Sequence, residues 1–458
     1  MKQLFTFISI IFLFSYCSPA DNKQTEKENE SSETIVSEDS LLNLVQYQTF
    51  QYFWEGAEPN SGLARERFHE DGNYPSNDKH IVTTGGTGFG LMAILVGIER
   101  NFITREEALN RYEKMVSFLE KADRFHGAYP HWLNGETAKV KAFSEKDNGG
   151  DLVETAFLIQ GLLTVRQYFE EGNEREKELA ARITKIWEEV EWSWYTKAGD
   201  PASTVDRNVL YWHWSPDYGW EMNFPVGGYN ECLIMYVLAA SSPTFPINAS
   251  AYHEGWARNG EIANDTTFYD LPTVLDHYEH DNKPVGPLFW AHYSYLGLNP
   301  KGLKDQYGDY WELNKNHALI NYRHAVTNPY DFEGYGENCW GLTSSYSING
   351  YAGHNPTDDL GVISPTAALS SFPYTPEESM QFLKFMYQPA QDSLIGNYGP
   401  YDAFSFEHDW YVPHYLAIDQ GPIPVMIENY RTGLIWDLFM TAPEVKTGLD
   451  KLGFTYEN

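Results

Sequence analysis

From Leu41 onward apolar residues return at three- and four-residue spacing in one segment after another, the period of a helix that turns one face to a core. The pattern predicts helices over Leu41–Glu55, Gly88–Glu99, Arg105–Ala122, Asp151–Glu170, Glu174–Trp194, Tyr229–Ala240 and Ala249–Ala257. It resumes over Leu288–Leu296, Tyr310–Val326, Pro365–Ser371, Pro376–Tyr387 and Pro422–Met440. Few stretches alternate as strand pairs do, so the fold class is all-α. Successive helices also differ in kind. Those entered through Thr83–Gly86, Asp147–Asp151, Pro225–Gly228, Pro284–Pro287 and Asp419–Pro422 are apolar, whereas Arg105–Ala122 and Glu174–Trp194 are amphipathic and heavily charged. An inner ring of apolar helices alternating with an outer amphipathic ring is an (α/α)6 barrel, or toroid. The long connections Trp192–Val226, Arg258–Val285, Asn328–Val362 and Ile395–Ile418 then fall on one face, where an active site is expected.

The N-terminus follows another rule. Met1-Lys2-Gln3 precedes an apolar run, Leu4–Tyr16, broken by Thr6, Ser9 and Ser15 and ending at Cys17. A basic start and a short apolar core make a secretory signal, and residues 1–17 are read as a lipoprotein signal with Cys17 as the acylated residue. Cleavage near Ala20 without lipidation is the plainer alternative. Residues 18–40 are polar and poor in large apolar side chains, the composition of a disordered tether. The folded domain is assigned to 41–458. The expected location is outside the cytoplasm, anchored to a membrane, in the periplasm or at the cell surface.

Thirty-two Lys and Arg against sixty-four Asp and Glu give a net charge of −32, which excludes nucleic acid and anionic membrane surfaces as partners and favours a neutral ligand. Fourteen Trp and thirty-two Tyr suit sugar rings, which stack on aromatic faces, although a large core also consumes such residues. Cys232 and Cys339 lack metal-ligand spacing and read as buried thiols. Asp358-Asp359 lacks an ordered calcium loop, and no phosphate loop, nucleophile elbow or zinc-protease motif occurs, so no cofactor or metal is expected. The chain is taken as a monomer.

The chemical candidates are acids at the inner helix starts. Asp151 and Glu154 lie three apart after Gly149-Gly150, Glu231 follows Gly227-Gly228-Tyr229-Asn230, and Asp419 precedes Gln420-Gly421-Pro422. Paired carboxyls, one protonated and one ionised, are what glycoside hydrolysis needs. N-capping alone would also put acids at such places. Trp212, Trp214, Trp220, Glu221, Asn230, Trp290 and Glu407 are the candidate substrate contacts, and His213 reads as structural.

Several tracts together resemble glycoside hydrolase family 144: Thr83-Thr84-Gly85-Gly86-Thr87-Gly88, Asp147–Thr155, Leu210–Pro216, Pro225–Glu231, Tyr252–Trp256 and Glu337–Thr343. The resemblance implies an (α/α)6 barrel that cleaves β-1,2-glucan internally to short sophoro-oligosaccharides, with inversion. It assigns importance to Asp151, Glu154, Glu231 and Asp419. Glu231 is then expected as the general acid and Asp419 as the ionised base, with Asp151 and Glu154 shaping the site. A transglycosylase, an exo-acting β-glucosidase on the same fold and a non-catalytic glycan-binding lipoprotein are the alternatives.

Overall fold

The computed structural model describes residues 37–205, 207–277 and 285–457, with backbone only for 75–77. The signal segment, Cys17, most of the tether and Pro284 lie outside the described residues. The described residues form thirteen α-helices: α1 (Glu38–Trp54), α2 (Thr84–Glu99), α3 (Arg105–Leu119), α4 (Leu152–Phe169), α5 (Glu174–Glu188), α6 (Leu233–Ser241), α7 (Tyr310–Thr327), α8 (Pro365–Leu369), α9 (Pro376–Met386), α10 (Ala417–Gln420), α11 (Pro422–Arg431), α12 (Leu434–Thr441) and α13 (Pro443–Leu452). Strands among the described residues are two to four residues long and pair in twos or threes, so no sheet forms a layer.

The helices form an (α/α)6 barrel, and the predicted alternation is visible in burial. Residues Thr84 to Gly97 of α2 and all of α6 are buried, as is nearly all of α4. Helices α3 and α5 bury one face each, Ala108, Leu109, Tyr112, Met115, Val116 and Leu119 in the first and Glu176, Leu179, Ala180, Ile183, Ile186 and Trp187 in the second, and each opens with a capping box, Thr104–Glu107 and Asn173–Glu176. Inner helices α2 and α4 touch backbone to backbone. A Cβ on Gly88 would stand 2.1 Å from the Phe157 carbonyl oxygen, and one on Gly161 would stand 2.1 Å from that of Gly88. Only glycine permits that approach.

Some predicted helices take other forms. Ala249–Ala257 contains a single wide turn, Ala251–Trp256, and Leu288–Leu296 is two short 3-10 turns. Pro422–Met440 breaks at Gly433, whose φ of +78° ends α11 and starts α12. Helix α13 lies beyond the last predicted segment. With α12 it closes the end of the barrel where the inner helices finish. Arg166 at the end of α4 makes a two-point ion pair with Glu444 at 2.6 and 2.7 Å, and Lys451 donates to the Ala240 carbonyl of α6 at 2.9 Å. The open end is therefore the one at which the inner helices begin.

Candidate active site

Short strand pairs assemble the open end. Ile81–Thr83 pairs with Trp132–Asn134, so His131 and Trp132 stand beside the start of α2. Gly150-Asp151 pairs with His213-Trp214, which brings Trp212 and His213 to the start of α4. Arg67–His69 pairs with His414–Leu416, and the hairpin Ser344–Ser347/Gly350–Gly353 carries Tyr346 and Tyr351. Together they enclose a cavity of about 500 Å³. Its carboxyls are Glu66, Glu154 and Glu231; Trp132, Phe143, Trp212, Tyr293, Tyr346 and Tyr351 supply aromatic wall.

Glu154 sits in the first turn of α4. Its Oε2 accepts the Gly85 N–H at 2.7 Å and lies 3.4 Å from the Thr83 hydroxyl. A Cβ on Gly85 would lie 2.6 Å from that oxygen, so the glycine makes room for a carboxylate. Gly150 makes room in the same way, since a Cβ there would strike the Tyr195 hydroxyl. Burial raises the pKa of Glu154 and the Asp151 charge adds to this, while His131 and the Gly85 N–H oppose it.

Asp151 is the N-cap of α4, accepting the Glu154 N–H at 2.9 Å. Its other oxygen takes His131 Nδ1 at 2.9 Å and Trp212 Nε1 at 3.0 Å. Fully buried and so bonded, it shapes the site from beneath, and its pKa is lowered because the donors and the His131 and His213 rings outweigh burial. Asp147, which no motif singled out for chemistry, lies 3.4 Å from His213 Nε2 and 3.7 Å from His131 Nδ1. Burial and the Asp151 charge push it up to about 7. His131 is held at about 9 despite burial because Glu154, Asp151 and Asp147 surround it.

Glu231 lies two residues before α6, in a turn that the Asn230 side chain makes by accepting the Cys232 N–H at 2.9 Å. It is buried on the cavity wall, and burial pushes its pKa up to about 7; its own N–H and the Cys232 thiol only partly resist. It is protonated in an appreciable fraction of molecules near neutral pH, as a general acid requires.

Asp419 is the fourth of these acids. It is buried, next to Leu416 and Ile418, which line the cavity; its carboxyl neighbours that of Asp402, and neither of its oxygens has a hydrogen-bond donor among the described residues. Two buried carboxyls in contact cannot both ionise. Asp419 is raised well above its ordinary value by burial and by Asp402, while Asp402 reaches about 6 and accepts the Tyr346 N–H at 2.8 Å.

Of the predicted contacts, Trp212 lines the cavity. Trp214 packs edge-on to His126 and Trp194, and Trp220 packs among Trp194, Tyr195 and Tyr211 while donating to Asp200 at 2.9 Å. Trp290 packs against Tyr229 and His277, Glu221 pairs with Lys146 at 2.9 Å on the surface, and Glu407 accepts the Glu333 N–H at 3.0 Å. Apart from Trp212, none of these side chains is among the residues that line the cavity. Cys232 and Cys339 are buried free thiols, and Asp359 is bonded to His324, Tyr335 and Gly361. Among the described residues, His69, Asp71 and His414 bring possible ligand atoms within 4.8 Å, but the two imidazoles are stacked 3.5 Å apart at 10°, so their in-plane lone pairs do not converge. His131, Asp147 and Asp151 bring possible ligand atoms equally close together.

Comparison with known proteins bears on this geometry. The family model described as "Glycoamylase: Putative glucoamylase" matches residues 223–443. The chain is similar to the endo-β-1,2-glucanase from Chitinophaga pinensis, solved with sophorotriose and glucose: 62% identity, TM-score 0.88, 92% of this chain and 99% of that one. It is 45% identical over 94% of its length to the exo β-1,2-glucooligosaccharide sophorohydrolase (non-reducing end) of Parabacteroides distasonis, and spans 60% of the length of that relative. The endo-β-1,2-glucanase of Talaromyces funiculosus solved with β-1,2-glucan, 10% identical with TM-score 0.62 over 90% of this chain and 88% of that one, shares the fold alone.

Proposed function

Because the chain belongs to glycoside hydrolase family 144, we propose that it hydrolyses β-1,2-glucan at internal linkages, with Glu231 as general acid and Glu154 as the ionised partner. The observation that carries this reading is the pair itself. Both carboxyls line one aromatic cavity, and burial raises both, Glu231 to about 7; Glu154 differs in having the His131 ring beside it and the Gly85 N–H bonded to it, which favour its charge. In the reaction, Glu231 gives its proton to the glycosidic oxygen as the bond to the anomeric carbon breaks. Water adds to that carbon and yields its proton to Glu154, which inverts the anomeric configuration. Asp151 and the Asp402–Asp419 pair hold the walls. Internal cleavage is supported by the match to an endo-acting enzyme along nearly the whole of both chains.

A second reading, release of sophorose from chain ends, draws on the sophorohydrolase likeness. Linear β-1,2-glucan separates the two. Endo action produces a spread of sophoro-oligosaccharides and an early fall in polymer size; disaccharide alone, with polymer size almost constant, would replace the endo reading by the exo one. Glu231→Gln should lower kcat on the polymer by about 10²-fold or more, and much less on a substrate whose leaving group needs no proton. Near-normal activity of that variant on glucan would remove Glu231 as the acid. The mature enzyme is further proposed to be a monomeric lipoprotein held through Cys17 outside the cytoplasm, with a neutral glucan as its partner.

A further inference from the structure

We propose that His131 is a positioning residue for hydrolysis: a fixed imidazolium wedged between Asp151, Asp147 and Glu154, whose charge keeps Glu154 ionised and seated in the cavity. The inference rests on the reading of Glu154 as the ionised partner of Glu231.

Geometry carries it. His131 Nδ1 is 2.9 Å from Asp151 Oδ2 and 3.7 Å from Asp147 Oδ2, and Nε2 is 4.0 Å from Glu154 Oε1. Each ring nitrogen thus faces carboxylate oxygen. A neutral imidazole has one proton, so one nitrogen would turn a lone pair toward an anion; only the cation satisfies both sides. The ring cannot easily turn away. Phe143 stacks on it with centroids 4.3 Å apart, Trp132 meets it edge-on at 5.8 Å, and the neighbouring His131 carbonyl accepts the Thr84 N–H at 3.1 Å. Glu154 is otherwise disfavoured as an anion, for it is buried and within reach of the Asp151 charge.

The surrounding groups have clear signs. From the strand Arg67–His69 and the residue before it come Glu66 and Arg67, paired with one another; from the segment before α4 come Asp147 and Asp151. His213 faces Asp147 and Asp151 from the paired strand, and Glu231 comes from the turn before α6. Thr83 and Gly85 of the segment opening α2 are neutral donors. Removing His131 therefore takes away the cation nearest to Glu154, and Asp151 is left to push the Glu154 proton affinity upward.

The test is the pH profile of kcat/KM on linear β-1,2-glucan for wild type and His131→Asn, which retains an amide donor toward Asp151. An opposite charge at this range moves a carboxyl by about 1–3 pH units. The acid limb of the variant should rise by about one unit or more, with the alkaline limb set by Glu231 unmoved and the maximum rate lowered about tenfold or more. In a Glu154→Gln background, His131→Asn should then cost less than about twofold further. An unmoved acid limb, or an equal loss with and without Glu154, would overturn the proposal. His131→Gln serves if the Asn variant does not fold by circular dichroism, and failure of both to fold makes His131 structural and also overturns it. An inactive wild type, or a fully active Glu154→Gln, refutes instead the reading on which the inference rests.

Discussion

Gly85→Ala tests the seat of Glu154 while leaving both acidic residues in the sequence. The new Cβ would lie 2.6 Å from Glu154 Oε2, 3.0 Å from its Cδ and 3.1 Å from Phe157 Cδ2. Ordinary contact requires roughly 3.5 Å between such atoms, so the carboxylate must retreat by about an ångström, because the helix backbone cannot. The 2.7 Å bond from the Gly85 N–H is then strained or lost. A hydrogen bond to a charged group contributes about 1.5–3 kcal/mol, and an ångström of misplacement at a reacting group costs on the order of 10²-fold. The same substitution gains about 1 kcal/mol of helix propensity inside α2, which partly offsets the lost bond in overall stability. The expected result is kcat lower by about 10- to 100-fold, KM within about threefold of wild type, and a melting temperature changed by only a few degrees, about 1 kcal/mol in a chain of this size. Reducing-end release from linear β-1,2-glucan and a thermal melt measure all three. Wild-type kcat in a folded Gly85→Ala enzyme would show that the position of Glu154 is immaterial, and the assignment of that residue would fall.

Three further outcomes are expected. Asp419→Asn should stabilise the protein increasingly as pH rises. The folded carboxyl holds its proton above the pH of about 4 at which the unfolded one loses it, so wild-type stability falls as pH climbs toward the folded pKa. Melting curves of both proteins between pH 5 and 8, at about one-unit steps, should diverge, and a constant gap would exclude a shared proton with Asp402. Trp212→Phe should lower kcat/KM severalfold because it removes the Nε1 donor to Asp151 and alters the cavity wall, while Trp220→Ala should cost about 3–5 kcal/mol of stability with kcat/KM per folded molecule unchanged; the reverse pattern would put Trp220 in the substrate site. Cys17→Ala should move the enzyme from the membrane fraction to the soluble one, and an unaltered distribution would rule out acylation.

What the sequence determined by itself is local or periodic. A three-to-four spacing of apolar residues sufficed for the all-α class, and the contrast between wholly apolar α2 or α4 and charged α3 or α5 sufficed for inner and outer rings, because burial on all sides demands the first and burial on one side the second. Asp151 and Glu154 were legible for the same reason: an N-cap and the residue three beyond it share one turn whatever surrounds them. What only the tertiary structure decided depends on partners distant in the chain. Asp419 reads as one more acid at an inner helix start until Asp402 is found against it, and His131 and Glu66 join the site only through strand pairs with Ile81–Thr83 and His414–Leu416. Trp212 and Trp214 are two residues apart and chemically alike, yet one lines the cavity and the other packs on His126 and Trp194. The pattern along a chain records how much of a residue must be hidden. Which carboxyl keeps a proton depends on the charges and donors within a few ångströms of it, and those are brought there by the fold.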